Sequence, residues 1–137
     1  MADKTDQAPQ DMTSLLKNHS LWASTDGAQG ERADLREFNL AGRSLWRADL
    51  RRALLDGCNL AAANLDHCDF RGASLKGAHL SGASLWEANL GNADLRGADL
   101  RGAKLDHADL RGADITDAEL EGASFKYALL GQAVGQT

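Results

Sequence analysis

The sequence predicts an all-β solenoid, and three observations predict it. Leu, Ile or Phe recurs at every fifth position from Leu35 to Leu130 without a slip. Ala or Cys stands two residues ahead of that central residue in eighteen of twenty repeats. Proline, which would remove a backbone hydrogen bond between coils, is absent from the repeats, the one proline being Pro9.

A period of five suits neither ordinary element. On an α-helix each step of five turns the chain by about 500°, so the leucines would wind around the axis instead of forming a stripe. On a flat strand an odd period sends alternate leucines to opposite faces. The chain must instead coil, turning once per repeat so that every fifth residue points at a shared axis.

The other repeat positions follow. The Ala or Cys position is a second inward site that admits only a small side chain. The residue directly before the central one is polar in eighteen of twenty repeats and therefore faces out. Gly closes nine repeats, where a tight turn favours positive φ.

Ala33-Asp34-Leu35-Arg36-Glu37, Ala48-Asp49-Leu50-Arg51-Arg52, Ala93-Asp94-Leu95-Arg96-Gly97 and Ala98-Asp99-Leu100-Arg101-Gly102 resemble the A-(D/N)-L-x-x units of the pentapeptide repeat family. The resemblance covers 100 of 137 residues. It implies a right-handed quadrilateral parallel β-helix with four repeats per coil, hence about five coils and a prism roughly 24 Å tall at about 4.8 Å per coil.

Both ends of such a stack leave large inward side chains uncovered, and covering four of them is worth about 6–12 kcal/mol. Met12, Leu15, Leu16, His19 and Trp22 recur at helical spacing behind Asp11, a suitable N-cap, which predicts a capping helix over about 12–22. Phe38 and Arg43 occupy the small position of the first coil, as fits a coil that meets something other than another coil. The entry His19-Ser20-Leu21-Trp22 followed by Gly30-Glu31-Arg32-Ala33 is similar to that of small bacterial members of the family. The chain thus divides into a polar, disordered tail (1–10), a capping helix and linker (11–32), the repeat array (33–132) and a C-terminal tail (133–137).

That last tail is too short and too Gly-rich to form a covering helix. Ile115, Leu120, Phe125, Leu129 and Leu130 are therefore expected at an open C-terminal end, a candidate interface for an end-to-end homodimer, a mode of assembly that resembles some family members. Asp114, Asp117, Glu119 and Glu121 put four acids and no base on two sides of the last coil.

Composition fits one soluble domain with a net charge of −5. No apolar run reaches about 18 residues and no basic, apolar-cored leader is present, so no membrane contact is expected and a cytoplasmic location is. Cys58 and Cys68 both take the small inward position on opposite sides of one coil, which predicts two core thiols and no bridge. Neither has metal-ligand spacing, and no metal or cofactor is expected.

With twenty residues per coil the sides read as columns. The third column stacks Trp46, Asp66, Trp86, Asp106 and Lys126 directly after its central residues, and Arg47, His67, Glu87, His107 and Tyr127 one residue further. Trp46, Arg47, His67, Trp86, Glu87, His107 and Tyr127 are the candidate protein-binding face, since exposed aromatics beside Arg and His mark binding surfaces. His67 and His107 lie about 10 Å apart, too far for one ion without both rings swinging inward. The fourth column lines up Asp49, Asp69 and Asp109 beside Arg51, Arg71 and Arg111.

No catalytic constellation is visible: the carboxylates stand on regular ladders beside arginines, without a Ser-His-Asp set or a Gly-rich phosphate loop. The favoured function is a non-catalytic protein-interaction scaffold with a protein partner whose identity the sequence does not name. The family resemblance implies an alternative, a DNA mimic that binds DNA gyrase or topoisomerase IV. The repeats hold 15 acidic and 12 basic residues, a net −3 against roughly 14 phosphate charges for the same length of duplex. Arg32, Arg36, Arg43, Arg47, Arg51 and Arg52 also make the N-terminal end electropositive. Gyrase is the less favoured partner, and direct nucleic-acid binding is not expected, for want of a basic aromatic groove.

Overall fold

Seventeen parallel bridges set the architecture, each joining a residue to the one twenty positions on, from Asp34 with Leu54 to Asp114 with Val134. Twenty residues are four repeats, so the chain closes one four-sided turn every four repeats. This is a computed structural model, and it describes residues 11–135. The tail expected to be disordered over 1–10 lies outside the described residues. Among the described residues each side is a single bridge and no bridge extends into a longer strand, because the rest of each repeat serves the turn.

In the interior repeats at least four of the five backbone N–H groups have a partner, which explains the repeat's composition. In the repeat around Leu75, the central N–H donates to the Asp94 carbonyl at 2.7 Å and the Gly77 N–H to Arg96 at 2.9 Å, both in the next turn. The Ser74 N–H reaches back to Ala53 at 3.0 Å, and the Ala78 N–H closes the corner on the Leu75 carbonyl at 3.1 Å. The fifth donor follows the central residue. In most repeats it is taken by the Asp or Asn just before that residue, as where the Arg96 N–H donates to Asp94 at 3.2 Å and the Ala61 N–H to Asn59 at 3.0 Å. That is why the family unit reads Asp or Asn before Leu. Serine is too short for this, and at Ser74, Ser84 and Ser124 an aspartate of the preceding turn (Asp56, Asp66 and Asp106) binds both the serine hydroxyl and the waiting N–H.

All twenty corners have positive φ at their last residue, filled by nine glycines and by eleven residues with side chains. The central residues from Leu35 to Ile115 and the Ala or Cys positions between them, Ala48 only in part, form one continuous buried cluster. Cys58 and Cys68 are both buried within it and unbridged, and burial pushes their thiols up to about 12.

Helix α1 (Met12–Ser24) runs two residues beyond its expected end and carries the expected N-cap, with the Ser14 N–H donating to the Asp11 carboxylate at 3.0 Å. Met12, Leu15 and Leu16 pack on the core cluster. His19, on the same stripe, is fully buried and latches the helix to the first turn. The Ala33 N–H donates to its Nδ1 at 2.8 Å, which requires a bare Nδ1, so Nε2 carries the proton and donates to the Arg51 carbonyl at 2.8 Å. The guanidinium groups of Arg32 and Arg52 lie over the Trp22 ring, at 5.3 and 4.7 Å from its centroid. Gly30 lets the chain double back over the helix: a Cβ there would lie 2.2 Å from the Asn18 carbonyl. Phe38 packs partly on the core, whereas Arg43 is exposed instead of filling its inward position.

The C-terminal end departs from the expectation in two ways. Ala133 and Val134 do not leave as a tail but begin another side: Ile115 donates its N–H to the Val134 carbonyl at 2.8 Å and is only 3% exposed. Ile115 is therefore nearly buried although it still lines the open end, and the bridging stops one residue later, where Gly135 stands at the position of the next inward Leu. The acids are also less isolated than their sequence suggested. Arg101 lies 3.3 Å from Glu119 and Arg96 3.9 Å from Asp114, each reaching up from the turn before. What stays open is a hollow of about 450 Å³ lined by Ile115, Leu120, Ala123, Phe125, Leu130 and Ala133, with Leu129 at its rim, 49% exposed.

Candidate functional site

The large apolar side chains exposed on the repeats fall in two places: Leu129, Leu130 and Val134 around the C-terminal hollow, and Trp46, Trp86 and Tyr127 on column three. On column three each turn of the solenoid contributes one ring, and the five rings touch in succession. Trp46 and His67 meet edge to face with centroids 6.5 Å apart, His67 and Trp86 at 5.2 Å, and Trp86 and His107 at 6.0 Å; His107 and Tyr127 stack at 5.1 Å. Arg47 lies over Trp46 at 5.3 Å and closes one end of the ladder. Glu87 takes the place beside the middle ring, with Oε2 3.4 Å from His67 Nδ1. All seven residues expected on this face are thus brought together in one contiguous strip.

The backbone beneath the strip is unusual in one respect. Arg47, His67, Glu87, His107 and Tyr127 are all corner residues, with φ between 55° and 62°. The left-handed region costs an L-residue about 1–2 kcal/mol. Every other column has glycine at two or more of its five corners, and column three has none. The five side chains of this column therefore all stand against backbone preference.

The ladder also has a signal that the five-residue period conceals. Ser44-Leu45-Trp46 recurs as Ser84-Leu85-Trp86, and Leu65-Asp66-His67 as Leu105-Asp106-His107, each pair forty residues apart. Trp and Asp-His alternate by turn, which places a ring at every level and an Asp under alternate ones. Asp66 accepts the Ser84 hydroxyl at 2.5 Å and the Trp86 N–H at 2.9 Å. Asp106 holds Ser124 and the Lys126 N–H in the same way. Reading the column at a period of forty would have found both aspartates as supports.

Six arginines outside the strip pair locally. Arg36, Arg51, Arg71, Arg96, Arg101 and Arg111 each fork onto the Asp two residues before, with closest contacts of 2.6–2.8 Å. The forks hold the Asp94, Asp99 and Asp109 carboxyls below the usual carboxylate range. Among the described residues no group of three or more His, Cys, Asp and Glu side chains is placed to hold a metal ion. No helix among them is long and apolar enough to cross a membrane.

The model of pentapeptide repeats matches residues 33–72, 73–112 and 93–132, in eight copies. The chain belongs to the pentapeptide repeat family. Among solved structures it is similar to a pentapeptide repeat protein of the cyanobacterium Cyanothece 51142, at 32% identity over 80% of this chain and 69% of that one, with a TM-score of 0.55. A pentapeptide repeat protein of the Arabidopsis thaliana thylakoid lumen matches at 34% identity over 66% of this chain and 59% of its own, TM-score 0.43. Another from Nostoc Pcc 7120 matches at 31% identity over 87% and 79%, TM-score 0.29. No curated protein matches the sequence. In this pentapeptide repeat protein the shared repeat accounts for the solenoid, while the ring ladder is made of the positions that the repeat leaves unspecified.

Proposed function

We propose that this pentapeptide repeat protein is a non-catalytic scaffold that presents column three to a protein partner. The observation that carries the reading is the unbroken ladder of five rings on corners that never use glycine. Rings fixed by one another and by a rigid backbone lose little entropy on binding, which suits an anchor surface. The reading takes the prism as right-handed, with about five coils and α1 as its N-terminal cap, the form the family resemblance implies. It takes the protein as cytoplasmic and bacterial, and the two unbridged thiols suit a reducing compartment.

Two further observations support the non-catalytic part. Asp66 and Asp106, the carboxylates nearest the histidines in sequence, already accept a hydroxyl and a backbone N–H each. Six other aspartates are engaged by arginine forks within their own repeats. The same forks weaken the alternative of a DNA mimic for gyrase or topoisomerase IV, since they neutralise the charges a duplex would have to be matched by. The C-terminal hollow supports an end-to-end homodimer in which Leu120, Phe125, Leu129 and Leu130 cover one another across two copies.

The test is a pull-down from bacterial lysate with the intact protein and with a Trp46→Ala/Trp86→Ala variant whose fold is checked by circular dichroism. A protein recovered by the first and lost by the second is the expected result. Equal recovery by both would remove column three from the reading, and recovery of gyrase subunits would restore the DNA-mimic alternative.

A further inference from the structure

We infer that column three binds a proline-rich segment in the polyproline II conformation, running along the axis of the solenoid. The inference deepens the proposed function and rests on column three being a partner face. Three features of the strip argue for this occupant over other peptides.

The first is spacing. Successive turns rise by about 4.8 Å, so Trp46 and Trp86, two turns apart, recur at about 9.6 Å. A polyproline II helix repeats every three residues, or about 9.3 Å. An extended strand repeats its faces at about 6.8 Å, and an α-helix brings a residue back to the same face after seven residues, at about 10.5 Å. The polyproline repeat comes nearest to the tryptophan spacing, and the whole ladder has the length of about two of its turns.

The second is relief. The rings of Trp46, His67, Trp86 and His107 cross their neighbours at 88°, 86° and 77°. Alternating ring planes give a row of ridges and clefts, the surface on which pyrrolidine rings pack in aromatic-lined polyproline sites.

The third is hydrogen-bond supply. Neither the Trp46 nor the Trp86 indole N–H has an acceptor among the described residues, so the strip offers two donors about 9.6 Å apart. Its carboxylates are turned partly to the protein: one oxygen of Asp66 takes Ser84 and Trp86, one of Asp106 takes Ser124 and Lys126, and Glu87 stands against His67. Two outward indole donors at this spacing fit a chain whose prolines carry carbonyls and no N–H. Polyproline II leaves those carbonyls without internal partners.

Fluorescein-labelled decaproline, titrated with the intact protein and followed by fluorescence polarisation, tests the inference. Saturable binding is expected, with no binding of a (Gly-Ser)5 peptide of equal length. Trp86→Ala should weaken it about tenfold or more, the loss typical of an anchoring tryptophan. Trp86→Phe keeps a ring and removes the donor, so it should fall between, and it guards against a misfolded alanine variant. His79→Ala, on column two, should bind like the parent. Decaproline that is not bound, or is bound equally by both Trp86 variants, overturns the inference. If at the same time the lysate partner still depends on Trp46 and Trp86, the partner face stands and only its polyproline occupant falls; if that dependence is also absent, both fall. Binding of an oligosaccharide or of a dT oligonucleotide in place of decaproline overturns the inference as well.

Discussion

The Asp66 carboxylate accepts the backbone N–H of Trp86, one turn up the solenoid, at 2.9 Å. The same oxygen takes the Ser84 hydroxyl, so one side chain satisfies the two polar groups that flank Leu85 and fixes the corner from which Trp86 projects. Asp66→Ala leaves both without a protein acceptor and should destabilise the fold by about 1 kcal/mol. Asp66→Asn keeps a carbonyl oxygen in place and should lose less. Thermal unfolding compares the two, and the steady-state anisotropy of tryptophan fluorescence should fall in Asp66→Ala before any unfolding begins.

The latch at His19 makes the N-terminal end sensitive to acid. Burial holds its imidazole below the ordinary histidine value, against the pull of the Arg51 carbonyl. The folded protein therefore binds this proton less readily than the unfolded chain. Its contribution to stability is complete above about pH 6.5 and is lost as pH falls towards the lower folded value. Melting temperatures measured from pH 7.5 to 5 should decline for the parent. His19→Leu should start lower, because the Ala33 N–H and the Arg51 carbonyl lose their partner, and should show a flatter decline over that interval. A slope unchanged by the substitution would show that His19 is not the titrating group.

Corner residues separate backbone preference from side-chain contact. Gly82 has φ +68° with nothing within 4 Å of a built Cβ, so Gly82→Ala tests the left-handed backbone alone and should cost about 1 kcal/mol. Ala62 stands at the same corner one turn earlier with φ 59°, and Ala62→Gly should stabilise the protein by a similar amount less the added chain entropy. Urea denaturation of the pair gives both signs in one series. Shifts of opposite sign, the Ala62→Gly gain being the smaller, would support the view that the side chains of column three stand against backbone preference.

The C-terminal hollow predicts self-association. Multi-angle light scattering at tens of micromolar should give the mass of two chains, and the melting temperature should rise with protein concentration. Leu130→Asp places a charge on the lining and should yield a monomer with its column-three face intact. A monomer from the unmodified protein at that concentration would sink the end-to-end dimer.

How much of this was legible in the sequence depended on the position within the repeat. The five-residue period carries the solenoid because a period of five leaves no other way to bury Leu35, Leu40 and their successors together. The seven ladder residues were legible as a column because twenty residues per turn is a fixed register. Their mutual contact was not, since the turn-to-turn direction of the His67 and His107 rings depends on φ at corners where glycine is the usual choice. The burial of Ile115 was missed for a different reason. Ala133 and Val134 carry the small and bridging positions of a further repeat, but Gly135 in the inward place hides that repeat from any count of leucines.

The alternation of Trp with Asp-His gives column three twice the period of the backbone that carries it. Excision of one turn, residues 61–80, would leave the solenoid in register yet bring Trp86 directly above Trp46 and Glu87 above Arg47. Excision of two turns, residues 61–100, would leave His107 above Trp46 and Tyr127 above His107, a shorter ladder of the same kind. Such a surface is indifferent to duplication in steps of forty residues and sensitive to steps of twenty. A lineage that lengthens or shortens this array while keeping the ladder's alternation is therefore confined to chains that differ by an even number of turns.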